Sequence, residues 1–142
     1  MNKQQLSLNI KGLQHIGIPV TNLQKSVAFY EQLGFERVMR AQVLQDKDAP
    51  IEVGMMKLGK IVIELYQLSG VEWRELSSRT DGHIDHIAFD VEDVDKAFEE
   101  IIEAGFETIE DKPVFLDFWK NGCKYFAIRG PDGEKLEFNQ IL

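Results

Sequence analysis

The stretch HIGIPVTNLQKSVAFYEQLGF, at positions 15–35, is matched in pattern by HIAFDVEDVDKAFEEIIEAGF at positions 86–106. A shift of 71 positions superposes the two without a gap, so that His15 meets His86 and the closing Gly-Phe pairs coincide. Any two strand–helix segments share periodicities, but they have no reason to keep histidines and glycines in the same register. We therefore expect the chain to be a duplication of a unit of about 70 residues.

Each copy begins with a predicted strand and a predicted helix. In the first copy the strand covers Leu13–Pro19, and Thr21-x-x-Gln24 has the form of a capping box that opens the helix. In the second copy, Asp93 can cap the predicted helix. A glycine follows each apolar stripe and can supply the left-handed residue that ends a helix.

The segments after each helix have the composition and alternation of strands. In chain order, the predicted strands are Phe35–Val43, Ile51–Leu58, Ile61–Leu68, Phe106–Ile109, Cys123–Arg129 and Glu134–Gln140. Gly59-Lys60 and the GPDG stretch at 130–133 are the predicted turns. The fold class is therefore α+β, with a βαβββ unit written twice.

These elements divide the chain into two units and two additional segments. The first unit covers 13–68 and the second covers 84–142, with a linker at 69–83 that can hold a helical turn. Residues 1–12 are expected to form a tail or an added edge strand, because their apolar residues alternate.

Composition excludes several classes of protein. The chain has 142 residues, which suits one domain, and a net charge of −8, which argues against nucleic-acid binding. No apolar run approaches the roughly 18 residues of a membrane span, and the first residues lack the apolar core of a signal peptide. The lone Cys123 cannot form an internal disulfide. We expect a cytoplasmic protein, and the acidic composition by itself identifies no partner.

The alternation of side chains along the predicted strands, here called strand parity, places four polar residues on the faces opposite the apolar ones. Alternate residues of a strand share a face. In HIGIPV, HIAFDV, IVIEL and EKLEFNQ, the apolar residues alternate with His15, His86, Glu64 and Glu137 respectively. Taken singly, such a histidine is usually structural and such a glutamate is usually solvated. Taken together, two imidazoles and two carboxylates predict a shared polar site.

A divalent metal is the simplest occupant of such a site. Unpaired carboxylates on a half-enclosed surface are costly, and a cation removes that cost. Two nitrogens and two oxygens without a thiolate suit zinc, nickel, cobalt, manganese or iron and disfavour a structural zinc–sulfur site. Such a set also leaves positions open to a substrate if coordination is octahedral.

The motifs HIGIPV, HIAFDV, IVIEL and GPDGEKLEFNQ, in this order and spacing, resemble the vicinal oxygen chelate superfamily over about Leu13 to Leu142. The resemblance implies that the two units form one curved, incomplete barrel with helices on its outer face. It also implies that the metal ligands are His15, Glu64, His86 and Glu137. The complete set of four is similar to bacterial glyoxalase I and to methylmalonyl-CoA epimerase.

The resemblance implies a metal-dependent lyase or isomerase of the glyoxalase I type, with nickel, cobalt or zinc, that acts on a small 2-oxo or 2-hydroxyacyl substrate. Glu64 favours glyoxalase I, since the epimerases commonly have glutamine there. Leu68 stands where bacterial glyoxalases usually have an asparagine that contacts glutathione, so the thiol substrate is less well supported than the chemistry. An acyl-thioester epimerase is the alternative within the fold. A non-catalytic protein that binds a small molecule or drug is the alternative of another class.

The shared reaction of the resembled enzymes is proton transfer through a metal-stabilised enediolate. We expect Glu137 to be the base, with Glu64 as its counterpart; the alternative is that both remain ligands and water carries the proton. Members of the superfamily are often homodimers, and ligands can come from one chain or from two. The candidate substrate-binding residues are Phe115, Phe118, Trp119, Lys124 and Tyr125.

Overall fold

The computed structural model describes residues 5–44, 49–80, 84–129 and 135–142. The predicted GPDG turn therefore lies outside the described residues. The chain divides into two compact units, one formed by His15–Asp85 and the other by Met1–Gln14 with His86–Leu142. None of the helices in the described part of the chain has the length and apolar character that a transmembrane helix needs.

The unit His15–Asp85 contains the first predicted βαβββ motif and one additional helix. Its elements are β1 (Ile10–Val20, which begins in the other unit), α1 (Leu23–Gln32), β2 (Glu36–Val43), β3 (Ile51–Leu58), β4 (Ile61–Gln67) and α2 (Gly70–Ser77). The strand order is β2-β3-β4-β1, in which only β4 and β1 run parallel. The helical turn expected in the linker is thus the two-turn helix α2.

The second unit repeats this arrangement. Its elements are β5 (His86–Val91), α3 (Val94–Glu103), β6 (Val114–Leu116), β7 (Cys123–Arg129) and β8 (Lys135–Ile141). The strand order is β5-β8-β7-β6, and again only the pair formed by the first and last strands is parallel. The duplicated βαβββ prediction is confirmed.

The strand predicted at Phe106–Ile109 is wrong. Among the described residues, this segment makes a single bridge, between Thr108 and Ile128, and the strand that follows α3 is β6 instead. The Glu110 carboxylate accepts the Ala127 amide hydrogen at 2.7 Å, so a side chain takes a bond that a continuing strand would have provided. Nor does a strand form in residues 5–9; β1 begins at Ile10, three residues before its predicted start.

The predicted capping box at Thr21 is also wrong, by one residue. Asn22 is the N-cap of α1, and its side chain accepts the Lys25 amide hydrogen at 3.0 Å. The Thr21 carbonyl instead accepts the indole hydrogen of Trp73 in α2 at 3.0 Å. The second cap is confirmed, because Asp93 accepts the Lys96 amide hydrogen at 3.0 Å.

The helices α1 and α3 each cover one apolar face of the strands in their own unit. The core between α1 and its strands is formed by buried residues of both, which are Val20, Leu23, Val27, Met56, Ile63 and Leu65. The core between α3 and its strands is formed in the same way by Val91, Val94, Ala97, Ile101, Phe126, Ile128 and Phe138. Both cores therefore use the strand residues that alternate with the candidate histidines and glutamates, which leaves those four side chains on the strand faces away from the helices.

Candidate functional site

His15 and Glu64 form a buried pair in the unit His15–Asp85. Their strands, β1 and β4, are parallel neighbours, and Gly17 lies beside Glu64 in the register. His15 stands two residues before Gly17 and so shares its strand face. The His15 Nε2 atom lies 2.9 Å from Glu64 Oε2, with the two side chains 1% and 13% exposed.

His86 and Glu137 form the corresponding pair of the second unit. Here β5 and β8 are the parallel neighbours, and Ala88 lies beside Glu137. The His86 Nε2 atom lies 3.4 Å from Glu137 Oε2, with side chains 10% and 12% exposed. The duplication has preserved the strands, the register, a small residue beside each glutamate and the atoms that face each other.

The chemistry of each pair suits a divalent cation. An imidazole Nε2 and a carboxylate oxygen are both donors that nickel, cobalt and zinc accept. Each pair is withdrawn from solvent, where an ionised carboxylate needs a compensating charge or hydrogen bonds. The sequence-predicted ligands are therefore brought together two by two, one histidine with one glutamate in each unit.

The Glu137 carboxylate is also held by a polar chain that the sequence analysis missed. Asn139 donates from Nδ2 to Glu137 Oε1 at 2.8 Å. Gln14 donates from Nε2 to Asn139 Oδ1 and to the Asn139 carbonyl, both at 3.0 Å. Asn139 is 2% exposed and Gln14 is 9% exposed. The available signal was parity, because Asn139 follows Glu137 by two residues and must share its face.

The predicted substrate-binding residues do not share one surface. Tyr125 pairs with Asn139 in the sheet and so lies on the strand face of Glu137. Lys124 lies on the opposite face, where its ammonium group meets Asp95 of α3 at 2.6 Å. Phe115 pairs with Lys124 and shares that opposite face.

Phe118 and Trp119 lie in the connection between β6 and β7. Phe118 is 3% exposed and is part of the interior, whereas Phe115 is 55% exposed. Trp119 has a φ of 61°, a left-handed conformation that is uncommon for a residue other than glycine. Of the five residues, Tyr125 is therefore the one that strand register places on the same strand face as a candidate metal ligand, opposite Asn139 and two positions from Glu137.

The family model of the Glyoxalase/Bleomycin resistance protein/Dioxygenase superfamily matches residues 12–138. An uncharacterised protein of Bacillus subtilis (strain 168), YwkD, is 31% identical over 129 residues, which cover 90% of this chain and 95% of that protein.

Two solved structures illustrate the likeness in fold. Methylmalonyl-CoA epimerase from Mycobacterium tuberculosis superposes with a TM-score of 0.76 at 22% identity, covering 98% of this chain and 93% of that one. A hypothetical protein from Bacillus halodurans C-125 superposes with a TM-score of 0.73 at 24% identity, covering 92% and 94%. At these identities the likeness establishes the fold, which is the one expected from the sequence.

Proposed function

Because the chain belongs to the Glyoxalase/Bleomycin resistance protein/Dioxygenase superfamily, we propose that it is a metal-dependent enzyme that transfers a proton beside a carbonyl group of a small substrate. The observation that carries the proposal is the repeated pair of a buried histidine and a buried glutamate, with Nε2 facing Oε2 in both units.

We propose that His15, Glu64, His86 and Glu137 together bind one divalent ion, of nickel, cobalt or zinc. The two nitrogens and two oxygens suit these metals, and the low exposure of all four side chains favours a bound cation over solvated carboxylates. When bound, such an ion stabilises negative charge that develops on a carbonyl oxygen of the substrate.

Glu137 is the proposed base. Its Oε1 accepts the hydrogen bond from Asn139, which fixes the plane of the carboxylate and turns Oε2 toward His86. A carboxylate held in one orientation can take a proton from a carbon and return it to the neighbouring carbon or to the opposite face. Glu64 is the proposed counterpart from the first unit, and Tyr125 is the proposed wall of the substrate site that lies nearest to Glu137 in register.

Two reactions fit this chemistry. The lactoylglutathione lyase reaction of glyoxalase I is favoured by Glu64, a glutamate at the position where the resembled epimerases commonly have glutamine. Epimerisation of an acyl thioester is favoured by the fold likeness to methylmalonyl-CoA epimerase, which covers 98% of this chain. We keep the first as the leading proposal and the second as its competitor.

Three measurements on the purified protein test these proposals. Metal analysis comes first: no bound divalent ion and no activity after addition of nickel, cobalt or zinc would leave only a non-catalytic binding protein. Formation of a thioester from methylglyoxal and glutathione then tests the lyase. Deuterium exchange at the α-carbon of methylmalonyl-CoA tests the epimerase.

The role of Glu137 is tested with Glu137→Gln. The variant should retain at least part of the metal and lose turnover, since an amide can ligate through its oxygen but cannot accept the proton. Unchanged turnover would exclude Glu137 as the base. We also propose a homodimer, which sedimentation analysis tests directly.

A further inference from the structure

A pocket of about 380 Å³ lies between α1 and β2 in the unit His15–Asp85. Its volume is in the range that holds a small metabolite. Six residues line it: Gln24, Val27, Ala28, Glu31, Arg37 and Arg40. Two of them are cations and one is an acid, in a chain whose net charge is −8.

A β-bulge brings the two arginines of this pocket to the same side of β2. Arg37 pairs with Met56 and Arg40 pairs with Gly54, with the register shift between Arg37 and Met39. Residues three apart in a regular strand face opposite sides, but Met56 and Gly54 are two apart on β3 and share a face. The extra residue therefore re-aims a side chain, as bulges near binding sites do.

This strand face is the one opposite Glu64. Met55, which stands between Gly54 and Met56 on β3, pairs with Glu64 of β4. Neighbouring residues of a strand alternate between faces, so the arginines lie on the α1 side and Glu64 lies on the other. A ligand in this pocket would leave the His15–Glu64 pair untouched.

The Arg37 guanidinium is poorly satisfied by the protein. Its Nε and Nη2 atoms are buried and make no hydrogen bond within the described part of the chain. By contrast, Arg79 donates two bonds to the Glu75 carboxylate, at 2.8 Å and 2.7 Å. Burial lowers the pKa of Arg37 from its ordinary value, repulsion from Arg40 adds to this effect, and attraction to Glu31 partly offsets it. Buried cationic donors without acceptors are costly, so a chain that keeps them gains from an acceptor that binds there.

The Arg37 side chain passes Gly54 on the α1 side of β3. A Cβ added at Gly54 would lie 3.7 Å from Arg37 Nε and 3.7 Å from Leu23 Cδ1, which is ordinary van der Waals contact. Arg37 Nε therefore lies close to the β3 backbone on the side that α1 covers, and the bulge brings Arg40 to the same strand face.

We propose that this pocket binds a small oxyanion, the phosphate or carboxylate group of a metabolite, held by Arg37 and Arg40. A guanidinium presents two parallel N–H donors that match the oxygens of either group. Glu31 is the acid that lines the pocket, and it limits the affinity by repelling the same ligand. The site is separate from the proposed metal ligands and does not depend on the proposed reaction.

The probes are inorganic phosphate and acetate, added to the full-length protein at constant ionic strength. Binding is measured by the midpoint of thermal unfolding and by the NMR resonance of the Arg37 Nε–H group. We expect half-saturation by at least one probe below about 1 mM, and a rise in Tm of about 3 °C at ten times that concentration.

Charge variants locate the binding. Arg37→Gln and Arg40→Gln should each weaken it at least about tenfold, whereas Glu31→Gln should strengthen it. Lys57→Gln is the matched control. Lys57 follows Met56, the residue of β3 that pairs with Arg37, and so lies on the opposite strand face. The variant removes one positive charge and should leave binding unchanged. Arg40 and Glu31 are exposed, so their variants remain informative if Arg37→Gln does not fold. Half-saturation only above about 1 mM with both probes, or equal binding by the two arginine variants and the wild type, would overturn the proposal.

Discussion

Asn139 donates a hydrogen bond from Nδ2 to Glu137 Oε1 at 2.8 Å, and both side chains are buried. The orientation of the Asn139 amide is itself fixed, because its Oδ1 accepts from Gln14 Nε2 at 3.0 Å. Partners of this kind orient the groups that ligate metals and hold their oxygens in place. Asn139 is therefore a positioning residue for Glu137, and Gln14 supports it from the strand β1.

Asn139→Ala should weaken binding at the proposed metal site by about 10- to 100-fold, because the Glu137 carboxylate, a proposed ligand, loses the bond that sets its plane. Gln14→Ala should act in the same direction with a smaller effect, since Asn139 keeps its own side chain. Competition with a fluorescent chelator measures the dissociation constant of each variant for nickel, cobalt and zinc.

Gln140→Ala is the matched control for Asn139→Ala. Gln140 is the next residue of β8, but its side chain accepts the Val94 amide hydrogen at the start of α3, at 3.0 Å. Its removal should lower stability and leave metal affinity unchanged. Equal metal affinities for Asn139→Ala and Gln140→Ala would show that Asn139 does not position a ligand.

The duplication has also preserved a hydrogen bond between a strand side chain and the first residue of a helix in each unit. Gln67 of β4 accepts the Leu23 amide hydrogen at 2.8 Å, as Gln140 of β8 does for Val94. Each glutamine satisfies one of the amides that open a helix without a backbone partner. Gln67→Ala and Gln140→Ala should each lower the free energy of unfolding by about 1 kcal/mol, as urea titration measures. Gln32→Ala, at the exposed end of α1, is the control and should change it little.

The sequence predicted the features that depend on local pattern. The repeat, the ends of β3 and β7, and the alternation that separates His15 from the apolar core all follow from spacing within one segment. Features that depend on pairing between segments were not predictable in this way. One such feature is the hydrogen bond from the Ala127 amide to the Glu110 carboxylate, which takes the place of a backbone bond between strands. Another is the bulge that changes the direction of the Arg37 side chain, which depends on the register between β2 and β3.

The same distinction explains how much of the candidate site could be predicted. Parity assigned a histidine and a glutamate to one strand face in each unit, and the register then brought each pair within 3.4 Å or less. Parity alone could not assign Lys124 to the Asp95 side of its strand, because that required knowing which face of β7 the helix covers. Nor could it indicate that a glutamine from β1 would meet Asn139.

Removal of a bound metal should destabilise the protein. When the free ion is present at one hundred times its dissociation constant, its binding to the folded chain adds about 2.7 kcal/mol to the free energy of unfolding. Chelation should therefore lower Tm by about 10 °C. His86→Ala should show a smaller rise in Tm on addition of metal than the wild type, since one of the four proposed ligands is missing. Differential scanning calorimetry with and without EDTA makes the measurement. A Tm of the wild type that does not respond to chelator or to added nickel, cobalt or zinc would contradict the proposed metal site.

The turn before β7 offers a test of backbone strain separate from the site. Gly122 and Gly105 have similar positive φ values, 89° and 85°, which are unfavourable for any residue with a Cβ. A Cβ at Gly105 would meet nothing within 4 Å, whereas one at Gly122 would collide with the Phe115 ring and lie 3.0 Å from the Leu116 carbonyl oxygen. The exposed ring can move away, but the backbone oxygen is held in the pairing of β6 with β7.

Gly105→Ala should therefore cost about 1 kcal/mol, the conformational penalty alone, and Gly122→Ala should cost at least about 2 kcal/mol more. Urea unfolding of the two variants gives the difference directly. The double variant Gly122→Ala with Phe115→Ala separates the two contacts: it should recover only the part of the loss that the ring causes, because the overlap with the Leu116 oxygen remains. Equal losses for Gly105→Ala and Gly122→Ala would mean that the turn shifts freely and that β6 is not fixed by its pairing with β7.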